Sequence, residues 1–261
     1  MIKVSIITIG KNVVNDIERT IKSVVEQSYG HIEYIVIDGN SNDGTQEIIE
    51  KYKESIHVYV SEKDTGIYNA MNKGVQWATG EWVLFINAGD YLITSNVIGT
   101  WVHYLSTTEA GICFGRILWD SPRDFSISVS EHAYLNKSWQ LIDNNFPHPA
   151  TFYRHSEFKK IGWFDEQYQI MADYELNLRS LVFYKIKYSY YPIITTVFNA
   201  GGVSNSGIYN VKIGIENQLI LDRYFPVALL KLKRSSPRIF KQKNFLWFIN
   251  KWFKTYLNRA S

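Results

Sequence analysis

Three carboxylates close apolar runs in the N-terminal part of the chain: Asp38 after residues 32–37, Asp64 after 56–60 and Asp90 after 82–86. The last run, Trp82-Val83-Leu84-Phe85-Ile86, is apolar without a break and ends at a short polar corner, Asn87-Ala88-Gly89-Asp90. A carboxylate at such a corner can hold a divalent cation that grips a diphosphate, because hard cations take oxygen ligands. Any one of these acids can equally be a turn former. Three of them, with Thr8 near the end of a fourth run, make a ligand site the stronger reading, provided that all four runs are strands delivering their ends to one edge.

The pattern supplies such strands. Residues 4–9, 32–37, 56–60 and 82–86 read as β-strands, each but the last followed by a helical stretch. Asn15 or Asp16 is placed to cap the first helix, whose apolar face is Ile17, Ile21, Val24 and Val25. A second helix turns Ile48, Ile49 and Tyr52 inward, and a third covers 67–78, closed by Gly80. The alternation β-α-β-α-β-α-β predicts an α/β fold with a right-handed, mostly parallel sheet flanked by helices. In such sheets ligands sit outside the carboxyl ends of the strands. No Gly-x-Gly-x-x-Gly follows the first strand and no P-loop occurs, so the usual dinucleotide and nucleoside-triphosphate motifs are absent.

The second half is less regular. Strands are expected over 111–119, from 151 onward and over 188–198, and helices over 172–183 and 208–224; residues 120–145 read as a mobile flap. The 261 residues are 46% hydrophobic and 20% charged, enough for a large core. The lone cysteine, Cys113, lies in an apolar run and reads as a buried small hydrophobe. The first apolar run is too short for a secretory signal and no run reaches membrane-spanning length, so a cytoplasmic chain is expected. Charge is unevenly spread. Residues 226–261 hold nine Lys or Arg and no Asp or Glu, which leaves 19 basic and 25 acidic residues elsewhere. Within that tail Phe245, Ile249, Trp252, Phe253 and Tyr256 fall on one face of a helix. A basic, aromatic, amphipathic helix suits the surface of an anionic membrane. Nucleic acid is the weaker partner, since no reader motif accompanies the charge.

Taken together the motifs resemble the family 2 glycosyltransferases. They are Val4-Ser5-Ile6-Ile7-Thr8, Asp38-Gly39-Asn40-Ser41-Asn42-Asp43-Gly44-Thr45, Asp64-Thr65-Gly66-Ile67-Tyr68-Asn69-Ala70-Met71-Asn72, His148-Pro149-Ala150-Thr151-Phe152, Gly162-Trp163-Phe164-Asp165-Glu166 and Asp173-Tyr174-Glu175-Leu176. The resemblance covers about residues 2–205 and is strongest to bacterial enzymes of O-antigen or exopolysaccharide synthesis. It implies a GT-A (Rossmann-like) catalytic domain over 1–205. Residues 1–100 would form the nucleotide-sugar half and 101–205 the acceptor half, with C-terminal helices over 206–261. It implies inverting transfer of a hexose (Glc, Gal or GlcNAc type) from a UDP-sugar to a polyprenyl-diphosphate-linked saccharide. It assigns Asp38 to the donor base, Asp64 and Thr8 to the same nucleotide, and Asp173 to the catalytic base. Alone, Asp173 would read as an acid favouring a helix N-terminus.

The family usually carries Asp-x-Asp where this chain has Asn87-Ala88-Gly89. Asp90 with the Asn87 amide oxygen is then the expected Mn²⁺ or Mg²⁺ site, completed by donor phosphates, with Lys73 as a helper at the leaving group. His148 is expected to touch the donor phosphates, the metal or the acceptor. Trp163 and Tyr174 could stack on sugar rings, and Glu175 is secondary. The rival readings are a nucleotidyltransferase on a related sheet and a non-catalytic homologue that binds sugar nucleotides.

Overall fold

The computed structural model describes residues 1–121, 126–129, 144–199 and 210–225. Four strands, β1 (Val4–Gly10), β2 (Ile32–Asp38), β3 (Val58–Ser61) and β4 (Trp82–Phe85), lie parallel in the order β3-β2-β1-β4. Their crossovers are α1 (Ile17–Val25), α2 (Thr45–Glu50) and α3 (Ile67–Trp77). The register pairs Gly10 with Asp38 and Asp38 with Ser61, so three strands end together at one edge.

Each apolar run is continuous because both of its faces are buried. On one face Ile7, Ile9, Ile35, Ile37, Val83 and Phe85 pack with α3 and elements of the second half. On the other, Val4, Ile6, Tyr34, Val36, Trp82 and Leu84 pack with α1 and α2. Gly80 lets the chain return after α3: a Cβ there would lie 2.6 Å from the Ser5 backbone nitrogen. Beside this return, the Glu33 carboxylate accepts hydrogen bonds from Lys3, Ser5 and Thr79.

Beyond β4 the sheet becomes mixed. β8 (Thr151–Arg154) runs antiparallel between β4 and β6 (Ile112–Ser121), and β9 (Tyr188–Asn199) runs parallel to β6. The edge strands are β5 (Tyr91–Leu92) on β9 and β7 (Ser126–Val129) on β6. The parallel character expected of the sheet thus belongs to its N-terminal half. Three elements had no counterpart in the sequence reading: β5, the strand β7 within the expected flap, and the helix α4 (Val97–Leu105), which fills the second face with Val97, Ile98, Trp101 and Leu105. At α1, Asp16 is the N-cap residue but makes no capping hydrogen bond through its side chain.

Three more helices cover the first face: α5 (His155–Ile161), α6 (Ala172–Val182) and α7 (Asn210–Tyr224). The Glu216 carboxylate of α7 accepts the backbone N–H groups of Gln169, Ile170 and Met171, which fixes the chain entering α6. Among the described residues no helix is long and apolar enough to cross a membrane. Most of the flap expected over 120–145, and the tail 226–261, lie outside the described residues.

Candidate active site

The loops after β1 and β2 are locked together. Asn12 N–H donates to Ser41 Oγ (2.8 Å), Asn42 N–H to Asn12 Oδ1 (3.1 Å) and Val13 N–H to Thr45 Oγ1 (2.9 Å). Asn12 and Asn40 carry the positive φ angles, +53° and +61°, that asparagine tolerates. Asp38 organises the second loop from within. It is 1% exposed and accepts from Ser41 N–H at 3.0 Å, the Ser41 hydroxyl and the Ser61 hydroxyl at 2.6 Å. Asp64 lies over the same loop, since a Cβ on Gly39 would fall 2.3 Å from its Oδ2 and 2.9 Å from Lys11 Cβ. Glycine at 39 therefore makes room for that carboxylate.

The corner after β4 continues this edge. Ile86 N–H and Ala88 N–H bond to Ile7 O and Ile9 O, both at 3.0 Å. Gly89 turns the chain at φ +104°. From α1, Arg19 donates to Gly89 O at 3.1 Å and Thr20 to Asp90 O at 2.7 Å, which clamps the turn. Thr8 is fully buried, its hydroxyl donating to Ile86 O (2.8 Å) and accepting from the Tyr34 hydroxyl (3.1 Å). It holds the corner in place and presents no surface to a nucleotide, a correction to its sequence-based placement. Lys73, expected at a leaving group, is tied to Glu62 at 2.7 Å and to Lys63 O at 2.9 Å.

Asp90 is buried, and burial pushes its carboxyl up to about 7 against the opposing pulls of the Asn199 N–H (3.0 Å) and Arg19. Asn87 Oδ1 is buried with no hydrogen-bond partner among the described residues. An unpaired buried acceptor is costly and calls for an explanation. These two oxygen groups on one turn match the donor preference of Mg²⁺ or Mn²⁺. Among the described residues no group of three or more His, Cys, Asp or Glu could hold a metal ion. Asn87 Oδ1 and the Asp90 carboxylate are thus the oxygen groups of this corner that a cation bound with phosphate and water would draw on.

Asp173 lies in the first turn of α6. Its Oδ1 is 3.0 Å from the Tyr68 hydroxyl, and its Oδ2 accepts from Asn145 Nδ2 at 2.7 Å. Asn145 is positioned by Asn177 (2.7 Å), which Tyr153 holds in turn (3.0 Å). Tyr68 comes from the start of α3, four residues after Asp64, so one short segment reaches both carboxylates. His148 completes the group. It stacks on Phe85, the last residue of β4, with ring centroids 5.4 Å apart and planes 25° apart. Both ring nitrogens are buried without a partner among the described residues. Burial lowers the imidazole pKa while the Asp173 charge pulls it up, and the net shift is downward, favouring the neutral ring.

Of the two aromatic candidates, Trp163 is 40% exposed, whereas Tyr174 is 3% exposed and packs in the core, so its ring is not a stacking surface. Glu175 is fully buried, paired with Arg179 at 3.0 Å and bonded by the Tyr224 hydroxyl. Sequence reasoning assigned no role to Tyr68, Asn145, Asn177, Asn199 or Glu216. Tyr68 carried a hint, since it lies within the motif that follows Asp64, and Asn145 a local one, as a polar residue three places before His148.

Comparison with known proteins identifies the family and the fold. The family model "Glycosyl transferase family 2" matches residues 5–162. A "PGL/p-HBAD biosynthesis glycosyltransferase" of Mycobacterium tuberculosis is 26% identical over 239 residues, covering 86% of this chain and 91% of the relative. Among solved structures, S. aureus TarS 1–349 in complex with UDP-GlcNAc superposes with a TM-score of 0.67 at 19% identity, over 79% of this chain and 61% of that one. Mannosyltransferase PcManGT of Pyrobaculum calidifontis, in complex with GDP-Man and Mn²⁺, gives 0.60 at 15% identity, over 98% and 83%. At such identities the structural likeness establishes the GT-A fold.

Proposed function

The chain belongs to glycosyl transferase family 2, and on that premise we propose that it transfers a hexose from a UDP-sugar, with inversion, to a saccharide carried on a polyprenyl diphosphate. The observation that carries this reading is the Asp173 cluster. Tyr68 and Asn145 hold a carboxylate near the buried ring of His148, and that histidine stacks on the strand whose end leads to Asn87 and Asp90.

The locked loops after β1 and β2, with Asp38 inside and Asp64 over them, receive the nucleoside. The diphosphate then lies at the Asn87–Asp90 corner, where a divalent cation bound with it would neutralise charge developing on the leaving group. Asp173 accepts the proton of the attacking acceptor hydroxyl, a role that contributes roughly 10²–10⁴ in rate. Attack on the face opposite the leaving group, with one base and no covalent intermediate, inverts the anomeric centre. The buried, unpartnered nitrogens of His148 and the exposed Trp163 are the groups available to contact the acceptor. O-antigen or exopolysaccharide synthesis at the inner face of the cytoplasmic membrane is the setting this chemistry suits, with the basic tail as the membrane contact.

Calorimetric titration with UDP, with and without Mn²⁺, tests the donor site. Metal-promoted binding supports the corner as the diphosphate site, and turnover of UDP-glucose, UDP-galactose and UDP-GlcNAc would then name the sugar. Absence of UDP binding in both conditions refutes the donor assignment.

A further inference from the structure

The two oxygens of Asp173 have unlike partners. At Oδ2 the partner can only donate. Asn145 Oδ1 accepts from Phe146 N–H (2.9 Å) and Asn177 Nδ2 (2.7 Å), and Asn177 Oδ1 accepts from the Tyr153 hydroxyl (3.0 Å). Both amides are thereby fixed in one orientation, and Asn145 Nδ2 is left to donate to Oδ2 at 2.7 Å. At Oδ1 the partner is reversible. The Tyr68 hydroxyl lies 3.0 Å from Oδ1 and 2.6 Å from Ile170 O, and its single hydrogen points fully at only one of them. Ile170 O is a fixed alternative, because the Glu216 carboxylate holds the Ile170 N–H at 3.0 Å. Tyr68 is 6% exposed, and burial, with the Asp173 charge, raises its pKa well above the usual phenol value, so the hydroxyl stays protonated.

Against an ionised Asp173 the Tyr68 hydrogen belongs on Oδ1, since two oxygens at 3.0 Å with no hydrogen between them repel. Against a protonated Asp173 it belongs on Ile170 O, and the Tyr68 oxygen is then free to accept from Oδ1–H. We propose, on the reading of Asp173 as the base, that Tyr68 is a positioning residue for the proton transfer, its hydroxyl turning from Asp173 Oδ1 to Ile170 O as Oδ1 takes the proton of the acceptor hydroxyl. In that step the acceptor O–H bond breaks and its electron pair forms the new glycosidic C–O bond. The pair of the old C–O bond leaves with UDP. No bond of Tyr68 is broken; only its hydrogen turns. Asp173 keeps a partner on each oxygen in both charge states, so the carboxyl group stays in place as it is protonated.

Two kinds of variant separate a reversible partner from a simple donor. Asn145→Ala removes a donor that favours the carboxylate, so the midpoint of Asp173 titration should rise, and Asn177→Ala, which frees the Asn145 amide to flip, should raise it too. Tyr68→Phe removes a partner of both charge states, so the midpoint should move at most about half as far. Carbon-13 NMR of the full chain labelled at the aspartate carboxyls reads these midpoints, with Asp173→Asn to assign the signal. The other titratable groups facing the pair, His148, Tyr153 and Glu216, carry no such label. Release of UDP from UDP-glucose, UDP-galactose and UDP-GlcNAc gives the second readout: Tyr68→Phe should lower kcat about tenfold or more through the misplaced base, with KM for the donor unchanged. A midpoint shift in Tyr68→Phe that matches or exceeds the shift in the asparagine variants, or an unchanged kcat, overturns the proposal and leaves Asp173 as the base. Retained turnover in Asp173→Asn overturns the base itself, and the proposal with it.

Discussion

Asp173→Asn separates chemistry from architecture at this site. The carboxylate is held from two sides, by the Tyr68 hydroxyl at 3.0 Å and Asn145 Nδ2 at 2.7 Å. The Tyr68 hydroxyl is also 2.6 Å from Ile170 O, so its proton can rest there while its oxygen accepts. A carboxamide can then turn its oxygen toward Asn145 and its NH₂ toward Tyr68, leaving no group unpaired. What is lost is the charge assistance of the hydrogen bonds, the difference between roughly 1.5–3 and roughly 0.5–1.5 kcal/mol for such a contact. With two such contacts the expected cost is about 2 kcal/mol, or a fall in Tm of about 4–8 °C for a chain of this size. The catalytic loss is of another order, about 10²–10⁴ in kcat, because an amide cannot take the acceptor proton. UDP affinity, set at the other end of the site, should stay the same. Thermal melts, UDP calorimetry and turnover with a UDP-sugar measure the three quantities. Retention of turnover refutes Asp173 as the base and favours a chain that binds sugar nucleotides without transferring the sugar. A collapse in stability refutes the rearranged hydrogen bonding.

Three further substitutions probe the rest of the site. His148→Phe keeps the stack on Phe85 and removes two unpartnered nitrogens; stability should hold or rise by up to about 1–3 kcal/mol while turnover falls, and a lower Tm would mean that the nitrogens are satisfied within the protein. Gly39→Ala places a methyl 2.3 Å from Asp64 Oδ2 and 2.9 Å from Lys11 Cβ; the carboxylate must swing away and the loop after β1 must shift, so Tm should fall and UDP affinity should drop about tenfold, and unchanged affinity would remove Asp64 from the donor site. Asp90→Asn tests the buried acid. Its folded pKa of about 7 lies above the unfolded value, so the native state binds the extra proton and stability falls as pH rises from about 4 to about 7. The variant lacks this fall, so it should gain Tm relative to the natural protein at pH 8 more than at pH 5, and it should lose any promotion of UDP binding by Mn²⁺.

Short-range physics was enough to read the first ninety residues of this protein. The runs 4–9, 32–37 and 82–86 announce strands buried on both faces, and Gly, Asn and Asp clusters mark where they end. Strand ends in register then carry Asp38 to a common edge, and the loop after β3 carries Asp64. The motifs also placed Asp173 in the first turn of a helix, as found. The tertiary structure decided what each of these groups can do. Asp173 meets Tyr68 across 105 residues and Asn145 across 28, and Asp90 meets Asn199 across 109, separations that leave no periodic trace. Thr8 and Tyr174 have the residue types of a binding site, but pleat and helix phase turn them inward. Lys73 has the charge for a phosphate and spends it on Glu62. β5 is too short to show a strand pattern, and the mixed pairing beyond β4 depends on which strands meet in space. A sequence specifies which residues are apolar and where the chain turns; which polar atoms are left without a partner among the described residues, as in Asn87 and His148, is settled only when distant segments pack.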